Sequence, residues 1–289
     1  MSESSSLSDR LIYCIADLHL ESGRPETTAL LIDFLRGPAC RARTLYILGD
    51  LFEAWIGDDA ADALAERVAD ALRELADHGV QIFFVHGNRD FLLGEEYCRR
   101  AGMRLVHEPV RLSETETATA LLHGDILCTD DVDYQRFRNT VRNPAWQARI
   151  LSRPLWWRRL LGRLARAISR RRNRGKSPDI MDVNPEAVQQ CFRDLGIQRL
   201  VHGHTHRPAI HRLTVAEQPC ERIVLGDWHG ERGSVARIEG ERAELLVLKR
   251  RPDDQIVLEP LSNVTHNPPE RTPHPAPQSA NWDSRSRCT

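Results

Sequence analysis

The sequence predicts an α/β protein, and two observations lead to this fold class. Short apolar runs alternate along the chain with longer segments whose apolar residues have the spacing of an amphipathic helix. Several of the apolar runs end just before an Asp, Asn or His residue, which is typical of strands whose carboxyl ends line a site at the edge of an open sheet. The length of 289 residues suits one main domain with an appended subdomain.

The first half of the chain alternates between predicted strands and predicted helices. The segment 58–77 shows the helical pattern clearly, because Leu64, Val68, Leu72 and Leu75 fall on one face before a glycine that can end the helix. We predict strands at 10–16, 44–48, 80–85, 104–112 and 117–122, and helices at 25–35, 58–77 and 94–100.

The middle of the chain differs in charge from the rest. Residues 134–178 contain fourteen Lys or Arg residues and no Asp or Glu, which leaves 26 basic against 41 acidic residues elsewhere. Apolar residues at helical spacing lie among these arginines, with interruptions at Pro144 and Pro154. We therefore predict that residues 130–177 form a basic helical insertion, a cap of two or more amphipathic helices on the α/β core.

The core is predicted to resume after this insertion, so that it covers residues 10–129 and 178–250. Asn184 and Pro185 are the residue types preferred at the N-cap and first position of a helix, which we expect to continue to residue 195. Strands are predicted at 197–201, 222–225, 234–238 and 241–248, and the last three could form a second sheet. Residues 1–9 are polar and residues 251–289 are rich in proline, so both ends are expected to be mostly disordered.

The composition indicates where such a protein works. The seven cysteines are scattered and form no Cys-x-x-Cys pair, which favours reduced thiols in the cytoplasm. The N-terminal residues lack the apolar core of a signal peptide, and no run reaches the roughly 18 apolar residues of a membrane span. We expect a cytoplasmic protein.

The residues that follow the predicted strands form a candidate metal site. Because the carboxyl ends of the strands in an open sheet meet at one edge, we expect their donors to lie together. Oxygen and nitrogen donors without a thiolate suit two divalent ions that share a carboxylate, with Mn²⁺ or Fe²⁺ at least as suitable as Zn²⁺. Two ions about 3.5–4 Å apart can activate a water for in-line phosphoryl displacement. The candidate ligands are Asp17, His19, Asp50, Asn88, His123, His204 and His206.

Each of these residues taken alone also has a structural interpretation. An Asp after a strand is commonly a turn or capping residue, and a single His or Asn in a glycine turn is commonly structural. Their recurrence at five strand ends favours a functional site. Glu53, Asp125 and Asp130 remain open between orienting a ligand and capping a turn. His202, at the end of its own strand, is expected to have a structural or supporting role.

The order of the motifs resembles that of the calcineurin-like metallophosphoesterases. The resemblance implies a four-layer α/β/β/α sandwich with a dinuclear centre. It implies that Asp50 bridges the two metals. Many members have a histidine after the Gly-Asn pair, whereas this chain has Arg89, and this departure suggests that a guanidinium binds phosphate in place of a histidine that protonates the leaving group. The resemblance further implies one metal held by Asp17, His19 and His206, and another held by Asn88, His123 and His204.

Further motifs within 128–138, 180–185, 202–208 and 224–229 make the chain similar to the UDP-2,3-diacylglucosamine pyrophosphohydrolases of Gram-negative bacteria over about residues 11–248. This resemblance implies hydrolysis of UDP-2,3-diacylglucosamine to UMP and 2,3-diacylglucosamine 1-phosphate (lipid X) in lipid A biosynthesis, with two Mn²⁺ ions and attack of water on the α-phosphorus. The implied substrate contacts are Asn88, Arg89, Asp131, Ser169, Asn173, Lys176 and His204, with Tyr134 and Arg166 as further candidates.

Other functions remain as alternatives. Another metallophosphoesterase activity, on nucleotides or phosphodiesters, would use the same metal site. Arginine-rich helices also suit nucleic acid, which we do not expect as a partner. They equally suit an anionic membrane surface, and because the implied substrate is a lipid, we expect a monomer bound peripherally to the cytoplasmic side of the inner membrane. A scaffold without metal would not need seven ligands.

Overall fold

Two β-sheets form the centre of the protein. The computed structural model describes residues 10–113, 115–173, 182–251 and 253–261, and in 166–173 only the backbone. The first sheet has the order β12-β11-β10-β1-β2-β3-β4, in which β1 to β4 are parallel and β10 to β12 are antiparallel. Its strands are β1 (Leu11–Ile15), β2 (Thr44–Leu48), β3 (Gln81–Val85), β4 (Met103–Val106), β10 (Arg232–Glu239), β11 (Arg242–Arg250) and β12 (Ile256–Pro260).

The second sheet has five strands in the order β5-β6-β7-β9-β8, and its inner strands β6, β7 and β9 run parallel. Its strands are β5 (Val110–Leu112), β6 (Thr119–Leu122), β7 (Arg199–His202), β8 (Ala209–Val215) and β9 (Gln218–Val224). Each sheet thus contains parallel strands whose carboxyl ends can contribute side chains to one site.

Seven α-helices accompany the sheets in the described part of the chain. Asp62 caps the second helix by accepting a hydrogen bond from the Ala65 amide, and Asn184 caps the last helix in the same way through Ala187. The helices are α1 (Pro25–Arg36), α2 (Ala63–Asp77), α3 (Glu95–Arg100), α4 (Val132–Val141), α5 (Pro144–Leu151), α6 (Leu155–Asn173) and α7 (Pro185–Leu195).

The layers follow from which apolar faces pack together. One buried cluster joins the outer face of the first sheet to α1, α2 and α3, and includes Phe34, Leu72 and Phe84. A second cluster lies between the sheets, where Cys14 and Leu48 of the first sheet meet Val201 of the second. A third joins the outer face of the second sheet to α7. The predicted four-layer α/β/β/α sandwich is therefore confirmed.

Several predicted elements differ from the structure. The single strand predicted at 104–112 is two strands in different sheets, because Pro109 lacks the N–H that a continuous ladder needs. Strands β10 and β11 extend the first sheet and do not build the second, which a local apolar pattern cannot reveal. Strands β8 and β12 were missed; both lie at sheet edges, and most of their residues are only partly buried or exposed.

The ends and the insertion were predicted as separate regions. Strand β12 lies within 251–289 and pairs with β11, so this stretch begins with ordered chain. Residues 1–9 and 262–289 lie outside the described residues. Helices α4, α5 and α6 occupy the predicted insertion, and Pro144 takes the first position of α5. The domain boundaries themselves stay a prediction.

Candidate metal centre

Parallel strands in both sheets, three in the first and two in the second, place the seven predicted ligands at one edge of the sandwich. Asp17 and His19 follow β1, Asp50 follows β2, and Asn88 follows β3 in the first sheet. In the second sheet, His123 follows β6, and His204 and His206 follow β7. The two sheets pack face to face, so their carboxyl ends open on the same space. The structure brings all seven side chains together, in two groups of three with Asp50 between them.

The first group consists of Asp17, His19 and His206, whose ligand atoms all lie within 4.8 Å of one another. The Nε2 atoms of His19 and His206 are 3.2 Å apart, and His206 Nε2 lies 3.3 Å from Asp17 Oδ1. Asp17 is fully buried, and its Oδ1 atom makes no hydrogen bond. A buried carboxylate oxygen facing two imidazoles is a suitable place for a cation.

The second group consists of Asn88, His123 and His204. The Asn88 Oδ1 atom lies 3.0 Å from His123 Nε2 and 2.9 Å from His204 Nδ1. The rings of the two histidines pack edge to face, with centroids 5.0 Å apart. One amide oxygen and two ring nitrogens therefore point at a common position.

Asp50 lies between the two groups. Its Oδ2 atom is 3.8 Å from His19 Nε2 in the first group, and its Oδ1 atom is 3.9 Å from His123 Nε2 in the second. Asp50 Oδ1 also accepts a hydrogen bond of 2.8 Å from the Arg89 amide. A carboxylate with one oxygen towards each group has the arrangement that a bridging ligand requires.

The backbone at these positions is strained. Five of the seven residues have φ between 48° and 70°: Asp17, His19, Asp50, His204 and His206. The left-handed region costs a residue with a side chain roughly 1–2 kcal/mol. Such strain persists where a site needs a side chain aimed in one direction. Two motif glycines leave room for these carboxylates. A Cβ atom on Gly87 would collide with the Asp50 carboxylate, and a Cβ atom on Gly203 would collide with the Asp17 carboxylate.

The contacts of His123 show that the site fits a metal ion. Its Nδ1 atom lies 2.8 Å from the Leu48 carbonyl oxygen, a contact that requires a proton on Nδ1. In the neutral ring the Nε2 atom then carries a lone pair, yet it faces the acceptor oxygen of Asn88. Two acceptors that face each other repel unless a cation, either a proton on Nε2 or a metal ion, lies between them. The residues present therefore fit a divalent ion.

Comparison with known proteins agrees with this geometry. The family model for calcineurin-like phosphoesterases matches residues 10–208. The chain belongs to this family.

Curated relatives of this phosphoesterase share about half of its residues. UDP-2,3-diacylglucosamine hydrolase of Marinobacter nauticus is 48% identical over 82% of this chain and 96% of that protein. The protein of the same name from Stenotrophomonas maltophilia (strain K279a) is 49% identical over 82% of this chain and 98% of that protein. The one from Cellvibrio japonicus is 52% identical over 74% of this chain and 90% of that protein. Among solved structures, vacuolar protein sorting 29 of Cryptosporidium parvum is 13% identical over 88% of this chain and 98% of that one, with a TM-score of 0.43.

The electrostatics of the phosphoesterase centre favour a bound cation. Burial opposes ionisation of Asp17, but the contact with His206 and the nearby histidine charges outweigh it and hold its pKa at about 2. Burial would lower the pKa of His123, but Asp50, Asp125 and Asp17 together raise it to about 9. The carboxylates thus create a strongly negative potential at the position where a metal would bind.

His204 differs from His123 in its charge state. Burial, together with the charge of His123, lowers the pKa of His204 to about 4. A neutral imidazole is the form that binds a metal, so His204 has this form at physiological pH, whereas His123 must release a proton when an ion binds. His206 is more exposed, and its Nδ1 atom lies 3.9 Å from Asp227 Oδ2.

Acidic residues around the centre hold the candidate ligands and their loops in place. Glu53 Oε2 lies 3.1 Å from His19 Nδ1, so Glu53 orients this ring, one of the two interpretations that the sequence left open. Asp90 accepts hydrogen bonds from the Gly87 amide at 2.8 Å and from the Leu51 amide at 2.7 Å, which fixes the two loops that carry Asp50 and Asn88.

Glu108 was not identified from the sequence. Its Oε2 atom accepts a hydrogen bond of 2.8 Å from the His123 amide. It lies between strands of different sheets, and no motif surrounds it, so no sequence signal could have identified it. Asp130 contacts a helix cap: its Oδ1 atom accepts a hydrogen bond of 2.8 Å from the side-chain amide of Asn184, the N-cap residue of α7.

The predicted substrate contacts are only partly within the described residues. Asn88 and His204 lie in the centre, and Arg89 lies at its rim with Nη1 3.8 Å from Glu53 Oε1. The Tyr134 ring stacks on His204 with centroids 5.8 Å apart. Asp131 caps α4 by accepting from the Tyr134 amide at 3.1 Å. The side chains of Arg166, Ser169 and Asn173, and all of Lys176, lie outside the described residues.

Two further expectations concern His202 and the membrane. His202 is fully buried, with Nδ1 2.9 Å from the Gly203 carbonyl oxygen and Nε2 3.3 Å from Arg222 Nη1, so it lies outside both ligand groups. Within the described ranges, the structure contains no helix of sufficient length and apolarity to span a bilayer.

Proposed function

We propose that this protein hydrolyses the pyrophosphate bond of UDP-2,3-diacylglucosamine to UMP and 2,3-diacylglucosamine 1-phosphate, lipid X, in lipid A biosynthesis. The observation that carries the proposal is the similarity to curated hydrolases of this substrate, at 48% identity over 82% of the chain. The convergence of carboxylate, amide and imidazole donors at one sheet edge supports the same conclusion, because such a set suits phosphoryl transfer.

We further propose that two Mn²⁺ ions occupy the centre. Asp17, His19 and His206 would hold one ion, Asn88, His123 and His204 the other, and Asp50 would bridge them. Oxygen and imidazole donors without thiolates suit Mn²⁺. When bound, the ions would lower the pKa of an attacking water and stabilise the charge on the phosphate oxygens.

The protein's own residues would position the substrate for attack at the α-phosphorus. Arg89, at the rim of the centre, would bind a phosphate oxygen through its guanidinium. Its amide is fixed by the hydrogen bond to Asp50 Oδ1, so the phosphate-binding residue and the bridging carboxylate keep a constant relation. Of the remaining predicted contacts, Tyr134 would pack beside the headgroup, because its ring stacks on His204.

The cap would bind the acyl chains and the membrane. Helix α6 exposes Trp156, Leu160 and Leu164, with 68%, 51% and 52% of their surface accessible, at intervals of four residues. The neighbouring Arg159 and Arg163 are basic, so this helix combines an apolar stripe with positive charge. We propose that the protein is a cytoplasmic monomer, peripheral on the cytoplasmic side of the inner membrane, with no nucleic acid partner.

The test is release of UMP from UDP-2,3-diacylglucosamine by the full-length protein. We expect release with Mn²⁺, none after treatment with EDTA, and at least a hundredfold loss of kcat/KM in Asp50→Ala, because removing a ligand costs more than removing an outer partner. Asp133→Ala is a matched control, since this carboxylate is 70% exposed on the cap. Equal rates for wild type and Asp50→Ala would contradict the proposal.

The alternative is a phosphoesterase for other nucleotides or phosphodiesters. It would use the same seven ligands, so the metal site cannot separate the two functions. Bis(p-nitrophenyl) phosphate, a generic diester, provides the comparison. A kcat/KM for this diester well above that for the glycolipid would favour the alternative.

A further inference from the structure

Helix α4, the first helix of the cap, contacts the loop that carries Asn88, one of the residues in the Asn88–His123–His204 half of the candidate metal centre. Arg142, at the end of α4, is 19% exposed. Its Nη2 atom donates to the carbonyl oxygens of His86 at 3.0 Å and Gly87 at 3.1 Å. These two carbonyls immediately precede Asn88. A guanidinium holding both of them fixes the turn that aims the Asn88 side chain.

A second arginine of the same helix supports the other loop of this half. Arg138 is 12% exposed, and its Nε atom donates to Asp125 Oδ2 at 3.0 Å. Its Nη2 atom pairs with Glu108, whose other oxygen accepts the His123 amide. The Tyr134 hydroxyl donates to the same Asp125 oxygen at 2.6 Å. The α4 residues thus join the loop that carries His123.

Residues of the α/β core, rather than of the cap, contact the other half of the centre, which is formed by Asp17, His19 and His206. Glu53 from the β2 loop contacts the His19 ring, and Arg24 Nη2 donates to the His19 carbonyl oxygen at 2.9 Å. Both belong to the α/β core. The two halves of the centre therefore differ in the region of the chain that supports them.

We infer that Arg142 is a positioning residue through which the cap sets the geometry of the Asn88–His123–His204 half of the centre. Arg138 supports the same half through Glu108 and Asp125. The inference rests on the proposed metal centre and goes beyond it, because it assigns the cap a role in metal binding besides substrate binding. Occupancy of one of the two metal positions then depends on how the cap is attached to the core.

The experiment titrates metal-stripped, full-length protein with Mn²⁺ and measures the free ion by electron paramagnetic resonance. Wild type is expected to bind two ions. In Arg142→Met we expect one site to weaken about 10- to 100-fold, the usual effect of removing an outer partner, and the other to keep its affinity. The matched control is Arg136→Met, because the Arg136 side chain is 78% exposed on the same helix and pairs with the exposed Asp133.

Background variants identify which site is affected. In His19→Ala the remaining site should belong to the Asn88 half, and adding Arg142→Met should weaken it by the same factor. In His123→Ala the remaining site should belong to the other half and should not respond to Arg142→Met. Equal weakening of both sites, or wild-type affinity at both, would overturn the inference.

A conservative variant separates positioning from folding. Arg142→Lys keeps the charge but lacks the guanidinium Nη2 atom that donates to both carbonyl oxygens, so we expect the same site to weaken by a smaller factor. Circular dichroism melts would show whether each variant folds, and if Arg142→Met does not, Arg142→Lys carries the test with the same two outcomes. If wild type binds no Mn²⁺, the proposed function fails, and this inference with it.

Discussion

The Nε2 atoms of His19 and His206 lie 3.2 Å apart, although 187 residues separate the two histidines in the chain. His19 follows the first strand of one sheet, and His206 follows a strand of the other. A ligand bound between these rings would therefore link the two sheets directly. Binding of a metal should for this reason be visible in the stability of the whole fold.

We predict that Mn²⁺ stabilises the protein against heat. At a free concentration of about 100 times its Kd, an ion that binds only the folded state adds about 2.7 kcal/mol per site. For a chain of this size, that corresponds to a rise in Tm of roughly 5–10 °C. Differential scanning calorimetry with Mn²⁺ and with EDTA measures the shift. Asp50→Ala should show a smaller one, and an unchanged wild-type Tm would contradict the prediction.

Glu53→Gln should weaken metal binding without removing a ligand. Glu53 lies 3.1 Å from His19 Nδ1, and its negative charge makes this ring a better donor. We expect affinity for one Mn²⁺ ion to fall about tenfold, as measured by calorimetric titration. Glu74→Gln, which alters an exposed ion pair with Arg36, should leave both sites unchanged. The same isotherm for Glu53→Gln and wild type would show that this carboxylate does not orient His19.

Gly203→Ala should destabilise the fold because a Cβ atom there would collide with the Asp17 carboxylate. Overpacking of this kind costs about 1–3 kcal/mol. At Gly23 a Cβ atom would meet nothing within 4 Å, so Gly23→Ala is the control and should change stability by less than about 1 kcal/mol. Urea unfolding of the two variants gives the comparison. A smaller loss for Gly203→Ala than for Gly23→Ala would be inconsistent with this packing.

Arg158 connects the cap to the core by a pair whose strength should depend on pH. This arginine is 4% exposed and donates to the Ile56 carbonyl oxygen at 2.6 Å and to Asp59 Oδ1 at 2.8 Å. Its hydrogen bond lowers the pKa of Asp59 below the usual 3.8. The stabilisation is therefore complete above pH 3.8 and is lost as the pH falls through the lowered folded-state pKa.

Arg158→Met should accordingly be less stable than wild type at pH 6, and the difference should shrink towards pH 3. Asp59 is 60% exposed, so the pH-dependent part is small, below about 1 kcal/mol. Arg159→Met alters the exposed neighbouring residue and is the control. Urea unfolding at both pH values measures the difference, and a difference that grows on acidification would have the wrong sign.

The sequence predicted well which side chains lie together at the candidate centre, because they lie at strand ends. Asp17, Asp50 and His123 each follow a short apolar run, and the parallel arrangement of strands then brings them together. The prediction needed no knowledge of which sheet each strand belonged to. That assignment was wrong for β10 and β11, since both sheets bury the same kinds of residues.

The supporting residues could not be predicted in the same way. Glu108 reaches the His123 amide from a connection between sheets, and Arg142 reaches two carbonyl oxygens from the cap. Both contacts depend on tertiary packing between segments distant in the chain. The positive φ angles at Asp17 and His204 are likewise invisible in the sequence, because most Asp and His residues have negative φ and no sequence pattern marks the positions where the fold requires a positive one.

Hydrolysis of UDP-2,3-diacylglucosamine in water enriched in ¹⁸O tests the central claim most directly. The full-length protein with Mn²⁺ would act on the glycolipid, and mass spectrometry would locate the label in the products. Attack of water on the α-phosphorus predicts one ¹⁸O atom in UMP and none in 2,3-diacylglucosamine 1-phosphate. Label in the sugar phosphate, or no cleavage of the glycolipid at all, would contradict the account.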